Sequence, residues 1–220
     1  MYQIVGVWKL VTVFATLAVA LALLSHFLLP VEDIVDALRR STGTVTLTGA
    51  LALVIGQTPL FPVLCRLPLL RNVFPPIDGK WTGTFSTNFP QIAKAFKLDA
   101  PNAAESVVAE FSIEVRLLTV RIRSVSVLPR PGYMRSHTTA FSIFRCPQTG
   151  REILHYVYDA FVGQPTESDV ASFHGAAKLV IIRDSNEIWL EGNYWTDRNW
   201  PKGYNTAGSL KLVRDGSVKA

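Results

Sequence analysis

Tyr194, Thr196 and Arg198 occupy alternate positions of one segment, so in an extended chain they share a face and run past its end. Tyr158 and Thr206 have the matching phase in two other segments. A planar ligand carrying phosphates needs aromatic faces for stacking and Arg or hydroxyl donors for its anionic oxygens, and this set supplies both. The competing reading is a packed interior in which the Tyr and Thr hydroxyls pair with one another. No nucleophile motif, Gly-rich phosphate loop or metal-ligand spacing accompanies them. His26, His137, His155 and His174 are scattered, and Asp and Glu mostly take the polar phase of strand-like segments. The expectation is a binding site rather than an enzyme, with no metal and no cofactor.

The elements that must position these residues follow from periodicity. After Pro75-Pro76 the pattern has period two, with strands expected over Lys80–Ser86, Val107–Arg116, Leu118–Val127, Ser136–Arg145, Ile153–Val162, Ser172–Arg183, Glu187–Asp197 and Thr206–Val213. A short helix is expected over Pro90–Leu98. Turns are marked by Gln148-Thr149-Gly150 and Asp184-Ser185-Asn186. Eight such strands are satisfied by an up-and-down, lipocalin-like barrel, because closure removes exposed edges; a two-sheet sandwich is the alternative. Parity assigns Ile188, Leu190, Gly192, Tyr194 and Thr196 inward, since Glu191 and Asn193 prefer water. Thr206, Gly208, Leu210 and Leu212 match them, as do Leu154, Tyr156, Tyr158 and Ala160. Trp81 reads as a plug at the barrel base, Trp200 as rim or loop packing, and Lys202 as a solvated charge.

The apolar excess behind a mean hydropathy of +0.24 lies before Arg71. Leu10 to Leu29 is twenty residues without a formal charge, enough to cross a hydrocarbon core about 30 Å thick. A cleavable signal peptide is the rival, and the uninterrupted run and a second apolar segment, Val45–Cys65, argue against removal. Two transmembrane helices over residues 1–71 and a β domain over 72–220 are therefore expected. Arg66, Arg71 and Lys80 beyond the second segment outnumber Arg39 and Arg40 in the connection, which with Lys9 places both termini inside. The part after Arg71 holds 17 basic and 14 acidic residues, a net +3, so direct DNA or RNA binding is not expected. Cys65 and Cys146 read as reduced thiols, in keeping with a cytoplasmic domain.

The stretches Asp78–Phe85 (DGKWTGTF), Tyr156–Asp159 (YVYD), Phe173–Ile181 (FHGAAKLVI), Gly192–Arg198 (GNYWTDR) and Asn205–Arg214 (NTAGSLKLVR) carry a resemblance. Together with two membrane helices before a barrel, the chain resembles the membrane effectors of bacterial CBASS anti-phage defence, CD-NTase-associated proteins with a cyclic-dinucleotide-binding β-barrel. The resemblance implies that a partner CD-NTase makes a cyclic dinucleotide, which the cytoplasmic barrel binds. Binding then drives self-association into higher oligomers and disruption of the inner-membrane bilayer, an abortive infection. By motif position it implies ligand contact at Tyr158, Tyr194, Arg198 and Thr206, with Thr196 and Arg121 added. A membrane-tethered lipocalin-like carrier of lipid or another hydrophobe, and a packed barrel that binds only protein, are the other classes considered.

Overall fold

The computed structural model describes residues 2–28, 33–71, 73–98, 106–128, 130–165, 169–184 and 187–215. The chain divides into two compact units, Met1–Pro76 with Arg116–Thr119, and Ile77–Val115 with Val120–Ala220.

In the first unit a 22-residue helix, Val7–Leu28, follows Gly6. Its side chains are almost all apolar and exposed, and it is long and apolar enough to cross a membrane. A second helix runs from Ile34 to Gln57. Asp33 caps it, accepting from the Asp36 amide at 2.8 Å, and Asp36 pairs with Arg40 at 2.6 Å. The Thr42, Thr44, Thr46 and Thr48 hydroxyls each donate to the carbonyl four residues back, so each finds an acceptor within its own helix.

These features correct the expected second span. The cap starts the helix at Ile34, drawing Asp36, Arg39 and Arg40 into it, and the chain turns extended at Thr58 before Pro59. Leu60–Leu64 is a separate short helix. The apolar run from Val45 to Cys65 is thus split between two elements. Among the described residues, Val7–Leu28 is the one helix that meets the length and composition needed for a span.

The second unit is a closed antiparallel barrel in sequential order. Its strands are β1 (Gly79–Thr87), β2 (Ser106–Val115), β3 (Val120–Leu128), β4 (Met134–Arg145), β5 (Glu152–Val162), β6 (Ser172–Asp184), β7 (Glu187–Thr196) and β8 (Ala207–Arg214). β8 pairs back onto β1, from Trp81↔Arg214 to Thr87↔Gly208, so no edge is left open. The eight-strand barrel expectation is met, and the sandwich alternative is excluded. The helix expected over Pro90–Leu98 spans Phe89–Ala95. Of the marked turns, Gly150 closes the β4–β5 turn at φ 67°, whereas Ser185 and Asn186 lie outside the described residues.

Alternation sorts the barrel wall as the polar phase requires. In β3, Val120, Ile122, Ser124 and Ser126 are buried, while Arg121 and Arg123 face out. The β3–β4 seam is short, and Thr138 patches it by accepting from the Ile122 amide and donating to the Ile122 carbonyl, both at 3.0 Å. At the end where the chain enters β1, Trp81 is fully buried, donates its indole N–H to the Ile77 carbonyl at 2.9 Å and lies under the Arg214 guanidinium at 4.8 Å. It is the plug expected of it. The β1–β2, β3–β4, β5–β6 and β7–β8 connections gather at the opposite end.

Candidate functional site

The site is built at that opposite end, on two neighbouring rungs of the inner wall. Register aligns Tyr158 of β5 with Gly175 of β6, Gly175 with Thr196 of β7, and Thr196 with Thr206, whose carbonyl accepts the Thr196 amide at 2.9 Å. One rung deeper, Tyr156, Ala177, Tyr194 and Gly208 align in the same way. Large and small residues therefore alternate around the wall, and the small ones admit the rings. A Cβ added at Gly175 would overlap the Tyr158 ring and hydroxyl, so only glycine permits this placement.

Tyr158, Tyr194, Thr196 and Thr206 are all buried. The Thr196 and Thr206 hydroxyls are 2.9 Å apart, and Thr196 Oγ1 also accepts from the Thr206 amide at 3.2 Å and the Arg198 amide at 3.3 Å. This knot fixes the start of the β7–β8 connection. The Tyr194 ring packs edge-on against Phe85, with centroids 5.1 Å apart. Burial pushes the Tyr158 phenol well up, reinforced by Tyr156 and Tyr194 and opposed by Arg198. Burial also raises Tyr194, against Thr87 and Arg198. Both phenols stay protonated at neutral pH and so offer O–H donors as well as faces.

Arg198 follows the end of β7, and its side chain reaches the start of the neighbouring β6 and the connection before it. Its Nε–H donates to Asp169 Oδ1 at 2.7 Å, its Nη2 donates to Asp169 Oδ2, and its Cζ lies 5.1 Å over the Phe173 ring. Tyr133 donates its hydroxyl to Asp169 Oδ2 at 2.7 Å, and the Val170 amide donates to Oδ1 at 2.8 Å. Burial works to raise the Asp169 carboxyl, but the hydrogen bonds and charge of Arg198, with Tyr133 and Val170, hold it below the usual carboxylate range. The Tyr133 phenol, part-buried and bonded to Asp169, is pushed up to about 12.

Five of the six residues expected to contact ligand are thus brought together, and the sixth is not. Arg121 lies on the outer face of β3, exposed and opposite Glu114, because β3 alternates with Val120 and Ile122 inward. Trp200, at the start of the 3-10 turn Trp200–Lys202, is 68% exposed, a rim position. Sequence reasoning missed Tyr133 and Asp169, which lie in connections without periodicity. On the outer wall beside the site, His174 Nδ1 meets Asp197 Oδ2, and Asp159 stands 3.9 Å from both His174 and His137. Among the described residues no group of three or more His, Cys, Asp or Glu is placed to hold a metal ion.

The fold and site define a small closed barrel with one aromatic, donor-rich end that carries an arginine–carboxylate pair, joined to a segment that contains an apolar helix long enough to cross a membrane. No protein-family model matches the chain. A curated protein, CD-NTase-associated protein 15 of Escherichia albertii, is 23% identical to it over 174 residues, which is 78% of this chain and 78% of that one. The resemblance carried by the short motifs therefore extends over most of both chains.

Proposed function

We propose that the chain is a membrane-anchored effector of CBASS defence whose barrel is a receptor for a cyclic dinucleotide. The observation that carries this reading is the convergence of Arg198, Tyr158, Tyr194, Thr196 and Thr206 at one barrel end. Stacking faces, hydroxyl donors and a guanidinium are what a planar base joined to a phosphodiester requires. The likeness to a CD-NTase-associated protein supports the source of the ligand, a partner CD-NTase. The role is binding, without catalysis or a cofactor.

In this reading Val7–Leu28 crosses the bacterial inner membrane, and the whole second helix, Ile34–Gln57, whose 24 residues rise about 36 Å, returns with Asp36, Arg39 and Arg40 at the far interface. Both termini then lie in the cytoplasm, as Lys9, Arg66 and Arg71 favour. An ideal Cβ at Gly49 would stand 3.8 Å from the Phe14 ring, so the two helices already pack closely. Occupancy of the barrel drives self-association through these helices, and the resulting assembly disrupts the bilayer.

The experiment is titration of the full-length protein in detergent with cyclic dinucleotides of every base pairing. Saturable binding of at least one is expected. No binding of any member by protein whose fold is verified overturns the reading.

A further inference from the structure

The Asp169 carboxylate is saturated. Oδ1 accepts from Arg198 Nε and from the Val170 amide, and Oδ2 accepts from Arg198 Nη2 and from Tyr133 Oη. An ionised carboxylate offers about four acceptor positions, so none is left over for a ligand donor. Its side chain is only 6% exposed, against 25% for Arg198. The buried partner is therefore the acid, and the guanidinium is the member that reaches the opening.

A guanidinium carries five N–H donors in a rigid fork. Asp169 takes the Nε–Nη2 side. The two donors of Nη1 and the second of Nη2 form the adjoining edge, and among the described residues none accepts from them. Phe173 supports the plane from one face. Charge, plane and rotation of Arg198 are all fixed, with one bidentate edge left over.

We infer that Asp169, braced by Tyr133, is a positioning residue that holds Arg198 with its Nη1–Nη2 edge presented to a phosphodiester oxygen pair of the bound nucleotide. This rests on the cyclic-dinucleotide reading above. Asp169 is neither a ligand contact nor a stand-in anion that the phosphate displaces. A displaced competitor would make its removal tighten binding, whereas a positioner makes its removal weaken it.

The test is a double-variant cycle in the full-length protein, titrated with the cyclic dinucleotide that wild type binds most tightly. Asp169→Asn keeps the shape but replaces one acceptor oxygen with an amide donor that faces Nη2. It is expected to weaken binding about tenfold, the scale of one charge-assisted contact. Tyr133→Phe is expected to weaken it less. In an Arg198→Ala background Asp169→Asn is expected to change nothing further, because its effect passes through that side chain. The Arg198 Nε–H resonance supplies a readout without ligand: slow to exchange in wild type, and fast in Asp169→Asn.

Wild-type protein that binds no cyclic dinucleotide overturns both the receptor reading and the positioning role. Wild-type binding that is unchanged or tightened in Asp169→Asn overturns the positioning role alone. So does an equal loss in the Arg198→Ala background, which would place the effect of Asp169 elsewhere in the barrel.

Discussion

His174 Nδ1 and Asp197 Oδ2 lie 2.9 Å apart on the outer wall of the barrel, each one residue from a member of the inner site, Phe173 and Arg198. The Asp197 carboxylate also accepts from the His174 amide at 2.6 Å, and the Asp197 amide donates to the His174 carbonyl at 3.0 Å. The pair ties β6 to the start of the β7–β8 connection, directly behind Arg198. Outer-wall electrostatics and the inner site therefore share a backbone.

The hydrogen bond to Asp197, then its charge, raise the His174 pKa, with Asp159 adding to the effect. Burial works to raise the Asp197 carboxyl and is outweighed by the bonds from His174. A raised histidine stabilises the fold fully below its unfolded value of about 6.5, and that contribution is lost as pH rises through the folded value. The lowered Asp197 contributes above about pH 3.9 and loses this only in acid. His137, Asp159, His155 and Lys178 also stand on the outward faces of these strands, and burial and Lys178 lower the His155 pKa, which acts in the opposite direction. The difference in melting temperature between wild type and His174→Gln is therefore expected to be largest in mild acid and to shrink toward alkaline pH, so that the two proteins differ in slope. An identical slope in the variant would contradict the assignment.

Gly175 is the position at which packing and site formation meet. A methyl group there overlaps the Tyr158 ring, which is itself buried against the wall. Gly175→Ala is expected to destabilise the barrel by about 1–3 kcal/mol, the usual scale for overpacking a filled core. Urea unfolding followed by tryptophan fluorescence checks the stability, and ligand titration checks the expected loss of binding. A variant indistinguishable from wild type on both counts would show that Tyr158 need not lie across Gly175.

Glu152 is a second buried acid, 8% exposed, bonded to Arg145 at 2.9 Å and to Arg183 at 2.5 Å. It staples the start of β5 to the ends of β4 and β6, at the end of the barrel remote from the site. Glu152→Gln is expected to lower stability by about 1–3 kcal/mol, discounted because Arg145 is half exposed, while leaving ligand affinity unchanged. Urea unfolding and titration separate the two effects. Weakened binding without a stability loss would contradict this division between ends.

Much of this architecture was legible because the strands obey one rule. In β7, Glu191 and Asn193 dictate which face meets water, and that parity alone sends Tyr194 and Thr196 inward. The same rule places Tyr158 and Thr206 beside them. It also shows why Arg121 was misplaced: β3 alternates Val120 and Ile122 against Arg121 and Arg123, so its own parity turns Arg121 outward, against the motif position that suggested contact. Asp169 was invisible for a different reason. It sits in a polar connection, Gly163 to Ala171, where nothing in residue order separates a solvated acid from one buried under an arginine. The second helix was misjudged because hydropathy alone marks its apolar half, whereas its ends are set by the Asp33 cap and the break before Pro59.

The most direct test of the central claim compares two arginines on the same barrel. Equilibrium binding of the preferred cyclic dinucleotide is measured for wild type, Arg198→Ala and Arg121→Ala, each in the full-length protein. Losing a charge-assisted contact of about 1.5–3 kcal/mol, Arg198→Ala is expected to bind at least about tenfold more weakly. Arg121→Ala is expected to bind as wild type does. An Arg198→Ala protein that binds as tightly as wild type would contradict the account and place the nucleotide somewhere other than this end of the barrel.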